Sequence, residues 1–440
     1  MSLFNSSLSS EPVLQIELDQ PSQYLYYPGS KVSGRIVLQS QVEEFIKSVN
    51  ITLQGHNDTY AMYEDGSVNS LTSTIYHYRD QTPLFVFYQT LFSGNKKCLR
   101  NQNNTWSFSF DNFPSLSDND KTFRYHRATD GTGAWLSRRH PLPPSYNRET
   151  STRRYCAIRY SIEAHVHCAP GRNYSDLSSV RPIRFVPFRT DRSSPPPIRE
   201  TSRDFELPAS RLLPEKRSLK TKFHDAFSSG AMKYRITLRT NIPSEIAPGR
   251  PFGMSCALQI HAPDETDIPP IQFEIKRLRL RTVTMSRGVR LFSDGETTYR
   301  ETGYRNERSE YFQDGIDFRC EPSSGQAIKE KGQMIWSFPT RVMVPNSICP
   351  TFQSFSISLG HRFEFDVGVE IGGKKYELKE EPSNFTVVSP FGNEESRERS
   401  GIDQLPLLPA YEAVGESSRS SNIADGMEIM ELGQADRKIS

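Results

Sequence analysis

The sequence predicts an all-β fold: two immunoglobulin-type β-sandwiches in tandem, followed by a disordered C-terminal tail. Three observations predict it. Apolar and polar residues alternate with period two through most of the first 390 positions, which is the pattern of half-buried strands. A Ser/Pro cluster near the middle, RTDRSSPPPIRE (Arg189 to Glu200), interrupts that alternation, and it then begins afresh. From Gly392 onward the chain turns Ser/Glu/Arg/Gly-rich and has too little apolar content to build a core.

The first run of strands starts at VLQIEL (Val13 to Leu18), where Leu14, Ile16 and Leu18 share one face. A Pro28-Gly29 turn follows, then Val32, Gly34, Ile36 and Leu38 in alternation, then Ile46, Val49, Ile51 and Leu53. LFVFYQTLF (Leu84 to Phe92), TWSFSF (Thr105 to Phe110), CAIRYSIEAHV (Cys156 to Val166) and VRPIRFV (Val180 to Val186) continue the series. Short strands with turn residues between them argue for an antiparallel sandwich over residues 11–188. The polar stretches Asn57 to Asp80 and Ser115 to Thr152 are expected to be exposed loops of that sandwich.

Residues 189–231 read as a Pro/Ser-rich linker and basic junction, because three consecutive prolines exclude a central strand. A second sandwich is expected over 232–390, from MKYRITLRTNIP (Met232 to Pro243) to KKYELKEE (Lys374 to Glu381). The Gly372-Gly373 pair predicts a tight hairpin. A Pro-Gly pair recurs after an early strand, at Pro28-Gly29 and Pro248-Gly249, and points to an internal duplication. Residues 391–440 are the tail.

Bulk properties narrow the function classes. The 440 residues carry a formal charge of +2, too little field to argue for nucleic acid as a partner. No apolar run approaches the ~20 residues needed to cross a bilayer, and MSLFNSSLSSEP has no secretory pattern. Six cysteines without a CxxC pair fit free thiols in a reducing compartment, so the expected setting is cytoplasmic. His165 and His167 share a strand face while Cys168 lies on the other, so a metal site is not expected there. The chain has no GxSxG, HExxH or GxxxxGK[ST] motif, and DGTGAW (Asp130 to Trp135) lacks the third glycine of a phosphate loop. The expectation is therefore no enzyme, no cofactor and no metal.

The order of segments brings a family resemblance. YYPGSKVSGRIVLQS with IKSVNITLQGH (Ile46 to His56) resembles the opening strands of the arrestin N-domain, and CAIRYSIEAHV resembles a later strand of it. CPTFQSFSISLGHRFEFDVGVEIGGKKYEL (Cys349 to Leu378) looks like the closing strands of the arrestin C-domain, and SRLLPEKRS (Ser210 to Ser218) looks like the junction of fungal members. The chain thus resembles an arrestin-domain-containing protein, or alpha-arrestin, of fungal type. That resemblance implies a non-enzymatic trafficking adaptor. It would link plasma-membrane transporters or receptors to a HECT-type ubiquitin ligase for ubiquitin-dependent endocytosis, and be recruited to plasma membrane or endosomes. The alternative from another class is a constitutive coat or sorting subunit of retromer-like type, which needs no ligase motif.

Two segments fit the ligase-binding role. In the tail, Leu408-Pro409-Ala410-Tyr411-Glu412 is an LPxY variant of the PPxY motif, with Leu408, Pro409, Tyr411 and Glu412 as the candidate WW-domain contacts. Prolines preset a polyproline II turn for an aromatic groove and the tyrosine fills a neighbouring pocket. Pro143-Pro144-Ser145-Tyr146 is a complete PPxY, with Pro143, Pro144 and Tyr146 as contacts. It precedes a core strand, so the competing reading packs Tyr146 into the sandwich.

Two further segments suggest membrane traffic. Asp403-Gln404-Leu405-Pro406-Leu407-Leu408 fits an acidic dileucine pattern for clathrin adaptors through Asp403, Leu407 and Leu408, although Pro406 is unusual and chance matches are common. In RLLPEKRSLKTKFHDAF (Arg211 to Phe227), Leu219, Phe223 and Phe227 recur at helical spacing, flanked by Lys216, Arg217, Lys220 and Lys222. Such a stretch suits peripheral contact with an anionic membrane. The competing reading is a linker helix packed on the second sandwich with solvated lysines.

Overall fold

The computed structural model describes residues 12–40, 43–65, 74–100, 102–118, 139–151, 153–169, 176–187, 196–208, 233–261, 271–291, 307–318, 326–330, 333–371, 374–379 and 383–389. Every regular element among them is a β-strand. The first sandwich holds β1 (Val13–Leu18), β2 (Leu25–Tyr26), β3 (Val32–Gln39), β4 (Glu44–Asp65), β5 (Thr74–Cys98), β6 (Asn103–Phe110), β7 (Tyr146–Ser151), β8 (Arg154–Cys168) and β9 (Asp176–Phe185). One sheet runs β1-β3-β6, the other β5-β4-β8-β9-β2, with β7 added to β8. Ile16, Val32, Ile36, Leu38, Trp106 and Phe108 of the first face Val49, Ile51, Leu53, Phe85, Tyr160 and Ile162 of the second in one core. Burying a side chain of that size contributes roughly 1.5–3 kcal/mol, which is why the period-2 pattern dictates the pairing of faces.

The second sandwich begins earlier than the linker reading expected. Strand β10 (Ile198–Pro208) lies inside that segment and pairs antiparallel with β11 (Lys233–Pro243) from Ile198↔Pro243 to Pro208↔Lys233. Its exposed, charge-rich side chains hide it from an apolar periodicity search, and an edge strand tolerates such residues. Then come β12 (Glu245–Ile246), β13 (Pro251–His261), β14 (Ile271–Leu291), β15 (Glu307–Phe318), β16 (Gln326–Glu330), β17 (Gln333–Met343), β18 (Phe352–Gln353), β19 (Ile357–Ile371), β20 (Lys374–Lys379) and β21 (Ser383–Val387). The sheet β10-β11-β13-β17-β16 covers β14, β19 and β21. Tyr234, Ile236, Leu258 and Ile260 meet Val367, Val369 and Leu378 in one cluster, and Met254, Val342 and Val344 meet Leu280, Phe363 and Phe385 in another. The expected hairpin closes between Ile371 and Lys374, which pair directly.

The two sandwiches repeat each other. Tyr27-Pro28-Gly29-Ser30 and Ala247-Pro248-Gly249-Arg250 form matching turns, with Gly29 at φ 85° and Gly249 at φ 72°. That conformation at the third position, with proline second, makes a type II turn and calls for glycine. Each glycine N–H donates at 2.8 Å to a carbonyl just beyond a paired strand, Phe113 after β6 and Val344 after β17. Parallel bridges also match, β2 with β9 and β12 with β21. The internal duplication suggested by two dipeptides is visible in the hydrogen bonding.

Where they are described, the polar stretches expected as loops contain folded segments. Asn57 to Asp65 prolongs β4 and Thr74 to Asp80 prolongs β5, while Asn57, Asp58, Thr59 and Asp80 are all buried. In the second stretch, His140, Leu142 and Tyr146 are buried and β7 is a strand. The long β4–β5 hairpin reaches beyond its own sandwich, and its tip strand pairs with β14 through Arg79↔Val289, Tyr78↔Arg290 and His77↔Leu291. One hydrogen-bonded sheet thereby runs through both halves.

Candidate functional site

The tail residues Asp403, Leu407, Leu408, Pro409, Tyr411 and Glu412 and the basic residues Lys216, Arg217, Lys220 and Lys222 lie outside the described residues. Pro143, Pro144 and Tyr146 lie within them, and all three are buried. The segment before β7 is tied into the first sandwich at four points. Leu142 N–H donates to Ser115 O at 3.0 Å, and the Tyr160 hydroxyl donates to Pro143 O at 2.6 Å. Ser145 N–H donates to Phe185 O at 2.9 Å, and Phe185 N–H returns a bond to Ser145 Oγ at 2.9 Å.

Tyr146 itself points at the second sandwich. Its hydroxyl lies 2.7 Å from Thr284 Oγ1 on β14, and its ring meets Phe352 edge-on at 5.5 Å. Burial pushes its phenol well above the usual tyrosine range, so it stays protonated. Two residues on, Arg148 reaches Asp314 of β15 at 2.5 Å. With 8% of Tyr146 exposed, the PPxY segment in this conformation is out of reach of a WW domain.

Around this contact runs a buried polar junction. Thr59 Oγ1 donates to Arg287 O at 2.7 Å, and Arg287 donates through Nε and Nη2 to Phe355 O at 3.2 and 2.9 Å. Thr82 Oγ1 donates to Asp80 Oδ1 at 2.7 Å, and His140 N–H donates to Ser117 Oγ at 3.1 Å while its ring packs edge-on against Phe355 at 4.4 Å. Asn57 is fully buried there. Polar groups removed from water tolerate few alternative arrangements, so the network favours this closed arrangement of the halves. Phe312, Phe352, Phe355, Ile357 and Leu359 of the second half also join the first core.

On the opposite face of β4, the Asp58 carboxylate is 3% exposed. It accepts from the Tyr155 hydroxyl at 3.1 Å and from Arg159 at 3.2 Å, with Arg79 at 3.8 Å. Tyr60 stacks on Tyr155 at 5.7 Å and bonds His77 Nδ1 at 2.8 Å. Of the histidines on β8, His167 lies 2.9 Å from Asp176 and His165 lies 3.7 Å from Glu163. Among the described residues no group of three or more His, Cys, Asp or Glu is placed to hold a metal ion, and no helix is long and apolar enough to cross a membrane. Cys98, Cys156, Cys168, Cys256 and Cys349 are free thiols, and burial raises Cys156 to about 12 and Cys168 to about 11, which makes them poor nucleophiles.

Fold and junction together define a tandem β-sandwich protein of arrestin-like architecture, built around buried contacts between its halves. Comparison with known families agrees for the first sandwich: residues 14–119, spanning β1 to β6, match the family described as arrestin (or S-antigen), N-terminal domain. No curated protein matches the chain closely enough to be counted as a relative.

Proposed function

We propose that this protein is a non-enzymatic trafficking adaptor. The observation that carries the reading is the arrestin N-terminal domain match over residues 14–119, set in an all-β, two-sandwich fold. The sandwiches engage a membrane transporter or receptor from the cytoplasmic side, at the plasma membrane or endosomes. Leu408, Pro409, Tyr411 and Glu412 recruit a HECT-type ubiquitin ligase through its WW domains, and endocytosis follows. Burial of Tyr146 supports the tail element as the working contact, since it removes the better sequence match from competition. Lys216, Arg217, Lys220 and Lys222 supply peripheral contact with anionic lipid, and Asp403, Leu407 and Leu408 a clathrin-adaptor contact.

Titration of a peptide spanning Ile402 to Glu416 against WW domains of a HECT-type ligase tests the reading. Micromolar binding that disappears with Tyr411→Ala is expected. Absence of binding, together with co-purification of the chain in a stoichiometric assembly, would replace it with the coat-subunit alternative.

A further inference from the structure

We propose that Pro143-Pro144-Ser145-Tyr146 is a second ligase-docking motif held masked by the second sandwich, and that opening of the junction uncovers it. The inference rests on the adaptor reading above and adds a layer of regulation to it.

The motif is complete in sequence, with two prolines and a tyrosine at the spacing a WW groove reads. Its tyrosine is the first residue of β7, which pairs with β8 alone among the described strands. The tyrosine belongs to the core that includes Cys156 and Ile158, but two of its contacts come from the other half: Thr284 takes its hydroxyl and Phe352 packs on its ring. The Arg148–Asp314 pair holds the same strand to the same half two residues further on. Moving the second sandwich away therefore uncovers part of a large aromatic and breaks a half-exposed ion pair at once. What then remains on the motif are its ties to the first sandwich: the β7–β8 ladder from Tyr146↔Ile158 onward, the bond at Pro143 O and the pair around Ser145. A short edge strand with few remaining bonds opens at lower cost than the core beneath it.

The consequence is quantitative. A motif competent only in the open state binds with an apparent Kd equal to the intrinsic Kd divided by the open fraction. Closed, the motif is silent and the tail element acts alone. Open, two docking points on one chain face a ligase carrying several WW domains, and linked sites raise avidity.

The test uses the full chain with Tyr411→Ala to silence the tail, and WW domains of a HECT-type ligase as the probe. Adding Phe352→Ala with Asp314→Ala is expected to speed amide exchange across β7 and raise WW affinity at least tenfold. Adding Pro144→Ala on top should abolish the gain, although that substitution can only loosen the segment further. If the double variant is not folded, Thr284→Val, which removes one hydroxyl, takes its place with a smaller expected gain. Unchanged exchange at β7, faster exchange without WW binding, or binding that survives Pro144→Ala overturns the proposal. A free peptide spanning Leu142 to Arg148 must also bind the same domains, and its failure overturns the proposal too. Failure of the tail peptide alone strikes the adaptor reading instead.

Discussion

The Tyr146 hydroxyl and Thr284 Oγ1 stand 2.7 Å apart, joining residues 138 positions distant and tying the first sandwich to the second. The same ring packs on Phe352, so hydrogen bond and apolar contact can be separated by substitution. Tyr146→Phe removes the bond alone and is expected to cost about 1 kcal/mol. Tyr146→Ala also empties the ring's site and should cost about 3–5 kcal/mol. Urea unfolding of both variants checks the ratio, and equal losses would mean that the ring contributes little.

Gly34 sits where two strands of the first sandwich approach closely. A Cβ built on it would lie 2.1 Å from Glu17 O on β1. Backbone cannot yield as a flexible side chain can, so Gly34→Ala should displace β1 and destabilise the protein by about 1–3 kcal/mol. Faster amide exchange along Val13–Leu18, with the second sandwich unaffected, is the expected signature.

These contacts show what the sequence could and could not reveal. The matching turns were legible because Pro-Gly pairs encode a local conformation, and Gly29 and Gly249 adopt it. Strand β10 was hidden because Arg199, Glu200, Arg203 and Asp204 give no apolar period, although they pair in register with β11. The extensions of β4 and β5 give no strand signal for a different reason. Asn57, Thr59, Asp80 and Thr82 are buried although polar, and a search for alternating apolar residues sees only polarity. Their partners include Arg287, which lies 228 residues from Thr59. Likewise, PPSY reads alike whether exposed or packed, and the deciding side chains, Thr284 and Phe352, are remote in the chain.

His361 predicts a pH dependence with a definite sign. Its Nε2 lies 3.0 Å from Cys349 O, which can only accept, so Nε2 carries the proton and Nδ1 accepts from the Thr282 hydroxyl at 3.0 Å. Burial lowers its pKa from 6.5 to about 4. Between those values the unfolded chain binds a proton that the folded chain refuses, so stability falls as pH drops from 6.5 towards 4. One pKa unit corresponds to about 1.4 kcal/mol, which makes the loss roughly 3 kcal/mol. Burial lowers His56 as well, in the same direction. His361→Gln should flatten that part of the stability–pH profile, and an unchanged slope would assign it to other groups.

Asp58 allows the contributions of a buried acid and its half-exposed cations to be told apart. Its carboxylate is 3% exposed, whereas the side chains of Arg159 and Arg79 are 52% and 32% exposed. Asp58→Asn therefore leaves behind groups that reach water, and its cost should be about 1–2 kcal/mol for weakened hydrogen bonds. Removing both arginines does the reverse, leaving a buried carboxylate with the Tyr155 hydroxyl as its remaining donor among these three. Breaking a buried pair in that way costs about 3–5 kcal/mol. Urea unfolding of the two variants at neutral pH reads both costs. Equal costs would show that water already reaches Asp58.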